Sequence, residues 1–331
     1  MKVKASKVVT FGELLLRLDT PGHERFVQAE SFGARYTGGE ANVAAALAQW
    51  GVNTRAVSKV PDHEIGQACI NYLRRFGIHT EWVVRGPGRL GILYVEAGAS
   101  QRPSKVLYDR DHTCFRGVRR GEFDWQKILR GKDWLHFTGT APALGPNVLA
   151  VLKDGLRVAR QLGVTVSFDC NYRSTLWSRP EAARVLGGLM KSVDVFIGTH
   201  HDARLLFGIE GEPAASAARL RRRFGFRAVA YTLREGQNSS VNRFGGLLCD
   251  ARGCDVSRVY DMQIVDRIGG GDAFTGGLIY GLLQRWPRQR TVEFAAAAGC
   301  LKHSIPGDFN LVSLVEVEQL AATGGSGNVQ R

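Results

Sequence analysis

Strand-like apolar runs alternate with helix-like segments through most of this chain, and that rhythm confines it to folds built on βαβ units. Residues 8–11 read as a strand, 42–51 as an Ala-rich helix, 56–60 as a strand and 65–76 as a helix ended by Gly77. The pattern continues with a strand over 134–137, a helix over 147–162 closed by Gly163, a strand over 164–169 and a helix over 180–191. A strand over 193–197, helices over 201–207 and 214–224, and a strand over 228–233 follow. Such units require right-handed crossovers, which bring the carboxyl ends of the strands to one edge of a doubly wound, mostly parallel sheet. Ligands collect at that edge. With 331 residues, 44% of them hydrophobic and 23% charged, the chain suits one large α/β domain with a smaller appendage.

Two stretches break the rhythm. Residues 14–36 contain LLLRLD and SFGARY, and 90–112 contain GILYVEAG and KVLYDR, with strand-like alternation and no helix between the runs. Four short strands outside the α/β pattern predict a small β-sheet, either a lid over the ligand edge or an antiparallel extension of the main sheet. One domain is therefore expected over 1–322, with a lid that is discontinuous in sequence. The tail 323–331, TGGSGNVQR, is Gly-rich and polar and is expected to be disordered. The apolar face of a β lid needs covering, and a lid-to-lid homodimer would cover it.

A formal net charge of +13 admits nucleic acid, an anionic small substrate or a generally Arg-rich surface as its cause. The densest basic run, RLRRRFGFR at 219–227, reads as the solvated face of a helix running into a strand. No helix-turn-helix, zinc-finger or RNA-recognition signature accompanies it, so nucleic acid is not an expected partner. Cys69, Cys114, Cys170, Cys249, Cys254 and Cys300 are scattered, and the nearest pair, Cys249 and Cys254, lacks CxxC spacing. Free, mostly buried thiols in a reducing compartment are expected. The N-terminal apolar stretch is too brief for a signal-peptide core and no run approaches the ~18 residues of a membrane span. A cytoplasmic protein without membrane attachment is the expectation.

The segment VDRIGGGDAFTGG (265–277) carries the chemistry. Residues 261–265 suit a strand and 273–283 a helix, so the glycines fall where a helix begins. Free N–H groups there, the close approach glycine allows and the positive end of the helix dipole favour an anion such as phosphate. Asp272 would then sit beside a bound phosphate, as a general base for an attacking hydroxyl or as a plain helix cap. Gly38, Gly39 and Asn42 form a second glycine turn at a helix start. Asp169, Asn171 and Arg173 follow a buried strand, and alternation along an extended chain would put all three on one side, with Asp169 and Arg173 either paired to each other or turned to a ligand. Tyr108 and Arg110 share a face of the appendage by the same rule, although Arg110 between two aspartates could be a solvated surface charge.

The glycine turn with Asn42, the DxNxR segment and above all IGGGDAFTGG (268–277) resemble the ribokinase-like (pfkB) carbohydrate kinase family over roughly residues 8–312. FDCNYRSTLWS (168–178), GELLLRLDTPGHERF (12–26) and KHSIPGDFNLVS (302–313) are similar to its 2-keto-3-deoxygluconate kinase branch. The resemblance implies a three-layer α/β/α fold with a β lid, and ATP- and Mg²⁺-dependent phosphorylation of the primary hydroxyl of the sugar acid to its 6-phosphate. By the same carry-over Asp272 is the catalytic base and Gly269, Gly270 and Gly271 the anion hole. Gly38, Gly39, Asn42, Tyr108, Arg110, Asp169, Asn171, Arg173 and Asp308 would hold the sugar acid, and Thr232, Arg234, Gly269 and Gly271 the nucleotide. A neutral-sugar kinase of fructokinase type, or an idle ligand-binding member, are the alternatives. The chain departs from the family where an Asn-x-x-Glu motif is common: it has Thr199, His200, His201 and Asp202, which leaves Asp202 as the one carboxylate for magnesium. Arg267, Leu93 and Thr37 also stand where the family commonly has other residues, Arg267 being able to meet nucleotide phosphates or to lie outward.

Overall fold

The computed structural model describes residues 6–236 and 238–325. In chain order the strands are β1 (Lys7–Phe11), β2 (Leu15–Asp19), β3 (Gly33–Thr37), β4 (Asn53–Pro61), β5 (His79–Gly86), β6 (Gly91–Glu96), β7 (Lys105–Asp109), β8 (Trp134–Thr138), β9 (Thr165–Asp169), β10 (Val195–Gly198), β11 (Ala228–Gly236), β12 (Val241–Asp250), β13 (Gly253–Val256) and β14 (Tyr260–Gln263). The main sheet runs β13-β12-β11-β10-β9-β8-β1-β4-β5, parallel from β11 to β5, with β12, β13 and β14 antiparallel at one end.

Side-chain alternation sorts the strands' residues between two cores, one on each face. Val9, Phe11, Phe137, Phe168 and Phe196 pack with the helices Pro146–Leu162, Arg179–Leu189, His200–Phe207 and Pro213–Phe224. Val8, Val195, Ile197, Ala228 and Ala230 face the helices Gly39–Gln49, Gly270–Leu283 and Arg288–Lys302 on the other side. The result is the expected three-layer α/β/α architecture. The unforeseen part is the antiparallel end. The run 261–265 was expected to be a strand leading straight into the glycine turn, but β14 stops at Gln263 and pairs with β12 in a hairpin-like edge.

The four appendage strands form their own sheet, β3-β2-β6-β7, rather than extending the main one. Its last strand, β7, is exposed along its whole length. Of the expected disordered tail, Thr323 instead ends the helix Leu314–Thr323 and Gly324 caps it, while 326–331 lie outside the described residues. Cys249 and Cys254 are not free: they are direct partners across β12 and β13 and form a disulfide, because the strand register brings their Cα atoms to 4.0 Å. Cys69, Cys114, Cys170 and Cys300 are free thiols. Among the described residues no helix is long and apolar enough to cross a membrane.

Candidate active site

The carboxyl ends of β8 to β11 and the small sheet together enclose a cleft of about 720 Å³. Gly38, Gly39, Asn42, Tyr108, Arg110, Asp169, Asn171, Arg173, Asp202, Thr232, Arg234, Gly269, Gly271, Asp272 and Asp308 all line it. Gly270 is set back and buried beneath the lining, with the His303 ring so close that a β-carbon could not be added.

Gly269 is the N-cap of the helix Gly270–Leu283, held at φ 86°, and a β-carbon there would run into the Asp308 carbonyl. Only glycine takes this position without strain. No side chain caps the helix, so the N–H groups of its first turn remain available to an anion. Asp272 is the third helical residue rather than the cap, which disposes of the capping role. Its Oδ2 instead accepts a 2.7 Å hydrogen bond from Asn42 Nδ2. Asn42 can reach it because the helix Gly39–Gln49 starts three residues before the expected 42, so two glycine-led helix N-termini meet across the cleft.

Burial raises the Asp272 carboxyl to about 6, against the pull of the Asn42 hydrogen bond, and the nearby Asp308 charge adds to the rise. Asp169 is raised to about 7 by burial and by the charges of Asp272 and Asp202. Its oxygens are held by the Asn171 N–H (3.1 Å) and the Thr275 hydroxyl (3.2 Å) rather than by Arg173. A base with a pKa near the working pH removes a hydroxyl proton efficiently.

The positive side of the cleft is the more telling half. Arg173, Arg234 and Arg267 all line it, and among the described residues none has an ion-pair partner. Burial lowers Arg234 to about 10, with the neighbouring charges of Arg267 and Arg173 contributing, so it stays protonated while pressed against like charge. Its guanidinium lies over the Phe244 ring at 5.0 Å and close to Gly271. Three convergent, unpaired guanidinium groups beside a free helix N-terminus suit a polyanion. Arg267 lines the cleft while remaining exposed to solvent.

Several expectations need correction. Asn171 adopts φ 36°, so the 169–173 segment turns instead of alternating as an extended chain; its three polar side chains reach one cleft by that turn. Arg110 is not a solvated surface charge: it is buried, lines the cleft, and its Nε donates to Glu13 Oε2 at 2.7 Å. The Tyr108 ring covers its guanidinium at 5.5 Å. Asp202 completes a capping box, its Oδ2 accepting from the Thr199 N–H (2.9 Å) and hydroxyl (2.7 Å), so the carboxylate proposed for magnesium is already engaged. His200 and His201 are exposed, and among the described residues no group of three or more His, Cys, Asp or Glu side chains gathers for a metal. These residues do not build a magnesium cage.

Sequence reading missed what anchors Asp308. Both of its oxygens are taken, one by Arg17 and one by the Thr37 hydroxyl, which also lies 3.0 Å from Asn42 Oδ1. Arg17 also binds Asp19 and reaches Asp266 Oδ2 at 2.6 Å. The signal existed: Arg17 shares parity with the buried Leu15 on β2, which places it inward. Glu40, likewise overlooked, accepts from the Thr138 N–H and hydroxyl and is raised to about 7 by burial.

Comparison with known proteins fits this geometry. The crystal structure of a 2-dehydro-3-deoxygluconokinase from Thermotoga maritima superimposes with a TM-score of 0.95 at 46% identity, covering 96% of this chain and 99% of that one. A 2-dehydro-3-deoxygalactonokinase from Haloferax volcanii is 31% identical over 322 residues, 97% of this chain and 98% of the relative. A 5-dehydro-2-deoxygluconokinase from Geobacillus kaustophilus is 26% identical over 332 residues, 98% of this chain and 96% of that protein. The sequence profile described as pfkB family carbohydrate kinase matches residues 5–310, and the chain belongs to that family.

Proposed function

We propose that the protein is an ATP-dependent kinase that phosphorylates 2-keto-3-deoxygluconate at its primary hydroxyl, giving the 6-phosphate and ADP. The observation that carries this is one cleft holding a carboxylate fixed by Asn42 at a free helix N-terminus, opposite three unpaired arginines. Asp272 takes the proton of the substrate hydroxyl as its oxygen attacks the γ-phosphorus in line. The new O–P bond forms, the bond to the bridging oxygen breaks, and ADP leaves. Charge growing on the transferred group is met by the N–H groups after Gly269 and by Arg234 and Arg267. Magnesium would enter on the nucleotide's phosphates with its own waters, as that ion commonly does. ATP as co-substrate agrees with a cytoplasmic location.

Arg173 is the group we assign to the substrate carboxylate, and Thr232 and Arg234 to the nucleotide. Arg110, already neutralised by Glu13, favours the alternative of a neutral sugar such as fructose, whereas the free Arg173 favours an acid. Three relatives are named for dehydro-deoxy derivatives of six-carbon sugar acids, two of them differing in gluco or galacto configuration. A coupled ADP-release assay over 2-keto-3-deoxygluconate, its galacto epimer and fructose tests the reading. A kcat/KM highest for fructose would sink it. Losing a hydrogen bond to a charged group costs about 1.5–3 kcal/mol, so Arg173→Ala should raise KM for the sugar acid about 10–100-fold and leave any activity on fructose little changed.

We also propose that the small sheet closes over the cleft and that a second copy covers its edge. Val106, Leu107 and Tyr108 on β7 are exposed large hydrophobics on an edge strand, paired on one side only. Sedimentation at micromolar concentration should give a dimer that Leu107→Asp converts to monomer; a wild-type monomer there refutes the interface.

A further inference from the structure

Lys302 ends the helix Arg288–Lys302 and is completely buried. Its ammonium donates to two main-chain carbonyls, those of Asp266 (3.2 Å) and Ile305 (3.1 Å), and among the described residues it has no carboxylate within ion-pair distance. Burying an ammonium without a counter-ion is costly, and methionine could fill the same volume. The C-terminal end of a helix favours a cation, but that end could be served by an exposed lysine. The place of the charge gives a better reason.

Asp266 begins the segment that leads into the glycine turn, and it is clamped on every side. Its Oδ1 accepts from the Ile268 N–H at 3.0 Å, and its Oδ2 accepts from the Gly307 N–H at 2.9 Å and from Arg17. Its own N–H and that of Val265 bond to the His303 carbonyl. Lys302 holds the one remaining polar atom, the carbonyl. From there its charge acts on Asp272, Asp266 and Asp308, while it lies behind the turn and does not line the cleft.

We propose that Lys302 is a positioning residue for phosphoryl transfer: its ammonium, set in a carbonyl-lined hole behind Gly269, fixes the 266–269 segment and adds positive potential to the anion site without touching substrate. The inference rests on the kinase reading above. It requires that charge, and not merely bulk, be needed there.

Lys302→Met and Lys302→Ala separate the two. Lys302→Met should fold with Tm within a few degrees of wild type, because a neutral side chain of similar size removes a buried charge. Its kcat should fall about 10–100-fold, the usual loss for an outer supporting group, with KM for the sugar acid within about three-fold. Lys302→Ala leaves a hole of ammonium size, and added ammonium or methylammonium should restore kcat saturably where tetramethylammonium does not. This variant also carries the test if methionine is not accommodated. ATP affinity by calorimetry is read in parallel and needs no turnover; it should weaken several-fold in Lys302→Met. Wild-type kcat and ATP affinity in Lys302→Met, or a deficit in Lys302→Ala that small cations do not relieve, would overturn the proposal. Wild-type protein that consumes no ATP with any sugar acid would count against the activity instead, and the affinity ratio would still decide Lys302.

Discussion

Replacing Asp272 with asparagine is expected to lower kcat by about 10²–10⁴-fold and at the same time to raise Tm by a few degrees at pH 8. The first effect follows from losing the general base while Asn42 still has an acceptor, the new amide oxygen, to hold the side chain in place. The second follows from the raised pKa. Folding lifts Asp272 from its ordinary 3.8 to about 6, so between those values the folded protein keeps a proton that the unfolded chain has released. Stability is therefore lost as pH rises through that window and stays reduced above it. About two pKa units correspond to roughly 2–3 kcal/mol, and water in the open cleft brings this nearer ~1–2 kcal/mol. Asparagine carries no such cost. The Tm gain should accordingly shrink towards zero at pH 4, and wild-type kcat/KM should rise with pH through about 6. Thermal unfolding of both proteins at pH 4, 6 and 8 checks this; a variant less stable than wild type at pH 8 would refute the electrostatic account.

The parts of this site that were legible in the sequence are those written in local signals. Glycine before a helical run marks a free N-terminus wherever it falls, so Gly38–Gly39 and Gly269–Gly271 could be read directly, and Asp272 with them. Strand ends could be read too, because buried strands flanked by helices stack their carboxyl ends together; Asp169 was placed in that way. What could not be read is pairing across the chain. Arg110 and Glu13 are separated by 97 residues and Arg17 and Asp308 by 291, and nothing in either neighbourhood announces the partner. The consequence is asymmetric. Arg110, read from sequence as facing substrate, lines the cleft with a carboxylate partner already beside it, whereas Arg234 and Arg267, which local pattern could not orient, have no ion-pair partner among the described residues. Asp202 differs in that its partner was local: Thr199 and Asp202 have capping-box spacing, and the structure forms that box.

Arg17→Ala is the substitution expected to damage the fold most, because its guanidinium joins three parts of the chain at one buried point. It lies on β2 of the small sheet with its side chain 3% exposed, and pairs with Asp19 beside it, Asp266 before the glycine turn and Asp308 on the far loop. Burial opposes its charge, yet Asp308, Asp266 and Asp19 together outweigh that and hold its pKa above the ordinary arginine value. Removing one partner of a buried ion pair typically costs about 3–5 kcal/mol, since the remaining charge is left without compensation. Asp19 keeps Arg35 at 2.9 Å, but Asp266 and Asp308 have no second cation in ion-pair contact among the described residues. A carboxylate buried without a cation is costlier than the neutral acid. By the same sign as for Asp272, the destabilisation should be larger at pH 8 than at pH 5. Catalysis should suffer beyond what stability explains, because Asp266 sets the path into Gly269 and Asp308 bears on it from the other side. A double variant, Arg17→Met with Asp308→Asn, removes a cation and an anion together and should recover part of the loss, so that the two changes are not additive. Denaturant unfolding of the single and double variants at both pH values measures this. A strictly additive, pH-independent loss would mean that Arg17 acts through packing alone and that the small sheet is not tied electrostatically to the glycine turn.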